Sequence, residues 1–379
     1  MKKPPFTDKV CRKPFEYLEI SAPKEGRIDC YSCCPTILPV KTGDLSKEKI
    51  SELWNSEAYQ KLRASMIDES FTFCNHELCP EIQSDNLLDV GQIENPEILN
   101  AFATKNYVLN DGPKEINLSF DEVCNLACPS CRTDFITSNT PEDEQLMTLL
   151  TDEILSMDLR DTRVMVCSSG DPFVSQHFRR ILFELVGEDH PGLKLQIMTN
   201  GLMFNRKSWE RMHKVHSCIE RTCVSIDAST EKTYQITRKG GNWATLMANL
   251  EFLAGLRMRG ELSFLRLDFV VQDHNFNEMP DFIRLGERLG VDQVFFQKIT
   301  DWGTFSPEEL NKRKVYEQHH PEYEAFKDML RDPIFKSKVV NAGNLGDFIS
   351  TRNHGKFNLR NAVFHSLRKR WRKLKRVVG

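Results

Sequence analysis

The stretch "EINLSFDEVCNLACPSCR" (residues 115–132) opens as a short apolar strand and then sets Cys124, Cys128 and Cys131 within eight residues. Three thiols are an awkward number. A structural zinc site closes with four ligands, and disulfides need an even count. A cubane [4Fe–4S] cluster has four irons, each normally met by a thiolate, so three cysteines leave one iron open to a chelating ligand. A catalytic zinc site withholds one protein ligand for the same reason. Structural zinc with a distant fourth ligand is the competing reading.

Outward from this loop, short apolar runs alternate with helix-length segments from Glu115 to about Gly303. Strands are expected at 115–120, 163–169, 193–200, 222–227, 265–272 and 293–299. In "NWATLMANLEFLAGLRMRG" (242–260), Leu246, Met247, Leu250, Leu253 and Ala254 recur at helical spacing and Gly260 ends the run. Strands separated by such helices form βα units and a parallel sheet. Six units indicate an α/β fold of the partial (β/α)6 barrel type, whose ligand chemistry collects at the C-terminal strand ends. Those ends are small or polar: Asp121, "SSGDP" (168–172), "TNG" (199–201), "SIDAS" (225–229) and Gln272.

The composition, 40% hydrophobic and 28% charged over 379 residues, is that of a soluble globular chain. No apolar h-region follows the first basic residues and no run approaches the roughly 20 apolar residues of a membrane span, so a cytoplasmic protein is expected. The net charge of −3 is uneven. The last twelve residues carry seven basic and no acidic side chains, which leaves −10 on the rest. An acidic body argues against specific nucleic-acid binding. The tail, 351–379, reads as a basic amphipathic helix. It is expected to pack on the acidic body, or to contact an anionic membrane surface or an acidic protein partner.

"CNLACPSC" resembles the signature of the radical S-adenosylmethionine (SAM) enzymes, and the resemblance covers 115 to about 303. It implies a SAM-binding [4Fe–4S] cluster on Cys124, Cys128 and Cys131. By the same resemblance Gly170 and Asp171 approach the SAM amino group, Ser225 and Arg238 hold its carboxylate, and Thr199 and Asn200 lie at the same rim. Two positions depart from the family pattern. Ser130 stands where an aromatic residue usually lies near adenine, and the glycine-rich turn reads Ser-Gly-Asp. The implied chemistry is reductive cleavage of SAM to a 5′-deoxyadenosyl radical, which abstracts hydrogen from substrate.

The other cysteine group reads "CRKPFEYLEI", "EGRIDCYSCCP", "GDLSKEKISELWNS" and "FCNHELCP" in order. This order is similar to the twitch/SPASM module that usually follows a radical SAM core; here it precedes one. The resemblance implies an auxiliary [4Fe–4S] cluster on Cys11, one of Cys33 or Cys34, Cys74 and Cys79, with Cys30 competing for the second place. A zinc knuckle is the alternative. The expected organisation is a cysteine-rich domain at 1–90, a connector at 91–112, the core at 113–305, a helical extension at 306–350 and the tail. Cys167, Cys218 and Cys223 read as buried apolar residues.

The activity expected is oxidation of a small polar molecule, sugar- or cyclitol-like, with the auxiliary cluster taking up an electron and a flavodoxin or ferredoxin supplying the reductant. Asp227, Asp268 and Asp301 are the candidate bases. Modification of a ribosomally made peptide is the second enzymatic reading. A non-catalytic zinc or nucleic-acid-binding protein is the reading from another class.

Overall fold

A computed structural model describes residues 6–83 and 85–349; the basic tail lies outside the described residues. Two compact units are present. One takes in the described residues up to Phe120 together with Gln145–Glu153, the other Asp121–Glu144 and the described residues from Ile154 onward.

The first unit contains β1 (Lys9–Val10), β2 (Tyr17–Ser21), β3 (Asp29–Tyr31), β4 (Lys41–Asp44), β5 (Leu88–Asp89) and β6 (Glu115–Ser119). β1 pairs antiparallel with β5, and β2, β3 and β4 form an antiparallel meander. β6 lies parallel to β2, in register from Tyr17 opposite Glu115 to Ser21 opposite Ser119. The helix Glu57–Ile67 is capped by Ser56, whose hydroxyl accepts from Tyr59 N. It carries Arg63, fully buried and donating to Pro14 O, Asn55 Oδ1, Tyr107 O and Trp54 O at 2.7–2.9 Å. A buried guanidinium persists only where acceptors meet its donors, and here the partners tie the "LWNS" segment to the chain on both sides.

The second unit contains β7 (Arg163–Val166), β8 (Lys194–Thr199), β9 (Ile219–Ser225), β10 (Leu265–Val271), β11 (Gln293–Lys298) and β12 (Val340–Asn341). Each pairs parallel with the next. Val164, Val166, Leu195, Ile197, Leu267, Phe269, Val294 and Phe296, at alternate positions along their strands, are buried and form the core-facing side of the sheet. Helices Gln176–Glu184, Arg206–Arg211, Trp243–Met258 and Met279–Leu289 make the crossovers.

All six expected strands are present. β7 stops three residues short of its expected end because Cys167 adopts a left-handed backbone (φ 68°), which turns the chain out of the sheet. In the extension expected at 306–350, helices form over Pro307–Arg313, started by a Ser306–Glu309 capping box, and over Tyr323–Met329. In the connector, the short helix that "NPEILNAFA" suggests forms over Pro96–Thr104. Among the described residues no helix is long and apolar enough to cross a membrane.

Candidate functional site

The three-cysteine loop follows β6 and has no regular structure of its own, so tertiary hydrogen bonds set its course. Asp121, 1% exposed, accepts from Val123 N (3.0 Å), Asn139 Nδ2 (3.2 Å) and the Ser175 hydroxyl. Asp171 N donates to Val123 O (3.0 Å), Cys124 N to Ile136 O (2.8 Å) and Ala127 N to Lys239 O (3.0 Å). Cys131 N and Arg132 N both reach Cys128 O, closing the last turn. Gly170 permits the closest approach. A Cβ there would meet Val123 O at 2.5 Å and Asp121 O at 2.7 Å, so a side chain would displace the loop.

Each of the three sulfurs faces one nitrogen donor. Asn200 Nδ2 lies 3.7 Å from Cys124 Sγ, Arg238 NH1 3.6 Å from Cys128 Sγ and Arg132 NH2 3.6 Å from Cys131 Sγ. Burial pushes the Cys124 thiol up to about 11 and raises Cys128 too, where the Arg238 charge opposes it. Two cations and an amide around three sulfurs form an environment for thiolates, the form in which cysteine binds metal. Among the described residues no three His, Cys, Asp or Glu side chains are grouped to hold a single metal ion.

Arg238 follows the helix Glu231–Thr237, and its side chain is 13% exposed. Its NH2 is 2.7 Å from Asp227 Oδ2, and its Nε is buried without a hydrogen-bond partner among the described residues. Burial disfavours its charge, yet the Asp227 carboxylate and Cys128 raise its pKa, so the guanidinium stays ionised. Asp227 sits at a left-handed turn (φ 61°) after β9, and its other oxygen accepts from Val270 N (2.8 Å). Ser225 ends β9, half-buried. A buried cation with an unpaired nitrogen, beside the Cys128 sulfur, suits an anionic ligand group such as the carboxylate of SAM.

Asp171 is fully buried. Its Oδ2 accepts from the Thr199 hydroxyl (2.7 Å) and Asn200 N (2.9 Å), and its Oδ1 from Phe173 N (3.0 Å). It therefore joins the ends of β7 and β8 and aims Asn200, whose amide donates to Asn125 Oδ1 (2.8 Å) as well as facing Cys124. The three candidate bases are all engaged. Asp227 pairs with Arg238, Asp268 with Arg266 (2.6 and 2.8 Å), and exposed Asp301 accepts from Gly303 N (2.8 Å).

Two residues outside the sequence-based set complete the neighbourhood. Arg132 donates to Glu122 O and Ser169 O besides facing Cys131, and its place directly after the third cysteine was the only hint of it. His274, three residues past β10, lines a small cavity with Ser130, Ile236, Thr237, Gln272 and Arg313. Nothing in "VVQDHN" marks that histidine.

In the first unit, Cys11, Cys33, Cys74 and Cys79 line one cavity, with Leu38, Leu62, Met66 and Phe71 among its other walls. Burial, and then the neighbouring cysteines, push Cys11 and Cys74 up to about 12; Cys33 reaches about 11, with Lys13 pulling against burial. The Asn75 side chain accepts from Glu77 N and Leu78 N, folding "CNHELC" so that both of its cysteines turn to the same cavity. Cys30 is fully buried in β3 and its pKa is raised by burial and by acidic neighbours rather than by the other thiols. Cys34 Sγ is 3.1 Å from Thr36 Oγ1. Exposed His76 packs edge-on to Phe6, its Nε2 3.2 Å from Phe71 O.

Two family models match the chain: the radical SAM superfamily over residues 118–285, and the iron–sulfur cluster-binding domain SPASM over 11–81. The chain belongs to the radical SAM superfamily and carries its SPASM/twitch domain on the N-terminal side of the core. Its cofactors are a [4Fe–4S] cluster, an auxiliary iron–sulfur cluster and SAM. No curated protein matches it. Among solved structures, TYW1 with a lysine–pyruvate adduct is 15% identical, with 49% of this chain and 64% of that one covered and a TM-score of 0.36. The enzyme anSMEcpe with bound AdoMet is 16% identical, with coverages of 49% and 51% and a TM-score of 0.36. SuiB of Streptococcus suis bound to the precursor peptide SuiA is 12% identical, with coverages of 75% and 61% and a TM-score of 0.42. The chain spans less than two thirds of each of these structures.

Proposed function

We propose that Cys124, Cys128 and Cys131 hold the SAM-binding cluster, that Arg238 and Ser225 receive the SAM carboxylate, and that Cys11, Cys33, Cys74 and Cys79 hold the auxiliary cluster. The observation that carries this reading is the donor at 3.6–3.7 Å from each of the three loop sulfurs, with Arg238 serving one of them and keeping its Nε unpaired. Bound together, the cluster and SAM supply hydrogen-abstraction chemistry. The chain's own residues bind and orient. Asp171 and Asn200 fix the rim, Gly170 admits the loop, and Asp227 holds the Arg238 fork in place. Four thiols on the auxiliary site leave no iron for substrate, so that site suits uptake of an electron, and the reaction is an oxidation. A flavodoxin or ferredoxin supplies the reducing electron.

The substrate is a small polar molecule, sugar- or cyclitol-like, matched to the hydroxyls and amides at the strand ends. A peptide is the second reading, favoured by exposed apolar side chains in the segments that follow the cluster loop, β8, β9 and β11: Phe135, Met203, Ile236 and Trp302. Single exposed apolar residues are ordinary, but several around one rim suit a larger, partly apolar ligand.

The test is anaerobic, reductant-dependent formation of 5′-deoxyadenosine from SAM. Wild-type protein is expected to form it, Cys128→Ala to form none, and Arg238→Ala to need about tenfold or more SAM for the same rate, as for a lost charge-assisted hydrogen bond. Equal product from Cys128→Ala would sink the assignment. Stimulation by monosaccharides and cyclitols supports the first substrate reading, and stimulation by short peptides the second.

A further inference from the structure

Tyr234 carries a hydroxyl that the proposed roles leave unused. The residue lies in the helix Glu231–Thr237, one turn before Arg238, whose N donates to its carbonyl (2.7 Å). Its side chain is fully buried, with the Trp243 ring 5.4 Å away between centroids. The hydroxyl itself is buried and has no hydrogen-bond partner among the described residues. The turn after Arg238, closed by Gly241 N on Arg238 O (2.9 Å), packs directly on it. A Cβ at Gly241 would stand 2.6 Å from the hydroxyl oxygen, so the phenol end is held in place. A buried hydroxyl left unpaired is costly, and its natural complement is an atom that arrives with a ligand.

The charged groups that act on this hydroxyl are those of the cluster loop and its rim. Burial raises its pKa, Arg238 opposes that, and Cys128, Asp227 and Asp171 add to it. Arg238 has donors only and cannot accept the phenol hydrogen. The oxygens of Asp227 are taken by Arg238 and Val270 N, those of Asp171 by Thr199, Asn200 N and Phe173 N. The Cys128 sulfur, met by Arg238 NH1 at 3.6 Å, is the acceptor with room to spare. We propose that Tyr234 donates its hydroxyl hydrogen to the SAM-binding cluster on its Cys128 side and so raises that cluster's potential. The proposal rests on the reading that Cys124, Cys128 and Cys131 hold the cluster. Sulfur bound to iron carries no proton, so the phenol is the donor in this pair, which fixes the direction of the effect. A hydrogen bond to cluster sulfur stabilises the reduced, more negative form.

The test is an EPR-monitored redox titration of the reconstituted full chain without SAM, comparing wild type with Tyr234→Phe, which removes only the hydroxyl. The loop cluster is recognised as the signal that changes when SAM is added afterwards. Tyr234→Phe is expected to make its reduction about tenfold less favourable, a fall of about 59 mV for one electron. Iron content, circular dichroism and the midpoint of the auxiliary cluster stay as in the wild type. Tyr234→3-fluorotyrosine keeps the ring and makes the phenol a stronger donor, so it is expected to raise the loop midpoint. It decides the matter if the phenylalanine variant fails to hold iron. A wild-type loop midpoint in Tyr234→Phe at full iron content overturns the proposal; weaker SAM binding by that variant then assigns the hydroxyl to SAM. Equal shifts of both clusters overturn it too, as the mark of a general loosening. A wild-type protein with no SAM-responsive signal, and an iron count independent of Cys124, Cys128 and Cys131, overturns the cluster reading itself, so the two failures are told apart.

Discussion

Arg132 is the residue on which the electronic character of the three-cysteine loop turns. Its guanidinium is held by two backbone carbonyls and directed at Cys131 Sγ, so its charge is fixed beside one sulfur rather than free to swing into solvent. Positive charge and hydrogen bonds to the sulfurs stabilise the reduced, more negative form of an iron–sulfur cluster. Arg132→Gln is therefore expected to lower the midpoint potential of the SAM-binding cluster by roughly 50–100 mV, the one-electron equivalent of a charge-assisted hydrogen bond. An EPR-monitored redox titration reads this, and an unchanged midpoint at full iron content contradicts it. The cysteines themselves were legible because their spacing is chemistry written in sequence order. Arg132 and His274 were not, because their places at the site come from proximity: one to Ser169 O, the other to Ser130, Thr237 and Arg313. The same holds in the first unit. Six cysteines were candidates, and only folding turns Cys30 into the β3 core and Cys34 towards Thr36.

Among the elements, the short helix Glu231–Thr237 matters most, because Arg238 leaves its C-terminal end. The carboxylate of Glu278 anchors its start, accepting from Ser229 N (2.6 Å), Thr230 N (3.1 Å), the Thr230 hydroxyl (2.7 Å) and the hydroxyls of Ser229 and Thr233. Burial pushes the Glu278 pKa up, but these donors outweigh it and hold the pKa below the ordinary carboxylate value. A depressed folded-state pKa means that the stabilisation is full above the unfolded value, near 4.3, and is lost as the pH falls through the lower folded value. Glu278→Gln is expected to cost about 1–2 kcal/mol at pH 7, and the gap to wild type should narrow below about pH 4. Urea denaturation at both pH values checks this; a gap independent of pH contradicts it. The core strands were legible because buried apolar runs alternate with helix-length segments. β2, β3 and β4 were not. They are five, three and four residues long; Leu18 and Ile20 do alternate with Tyr17, Glu19 and Ser21 in "YLEIS", but five residues with two apolar positions are too short a pattern to stand out.

At the scale of the whole molecule, two cysteine sets lie in two separate compact units, three thiols in one and four around a single cavity in the other. The first core strand, β6, groups with the cysteine-rich unit, and the division falls at Phe120 and Asp121, where the cysteine loop begins. Sequence resemblance placed the cysteine-rich module ahead of the core, and the family matches at 11–81 and 118–285 agree. The central claim is that each unit holds its own cubane on its own thiols. Iron and acid-labile sulfide per chain, measured after anaerobic reconstitution, test it most directly. The account predicts about eight irons in the wild type and about four in the variant with Cys124, Cys128 and Cys131 all replaced by Ala, and the same about four when Cys11, Cys33, Cys74 and Cys79 are replaced instead. Zinc with negligible iron, or a cysteine set whose removal leaves the iron count unchanged, would contradict it.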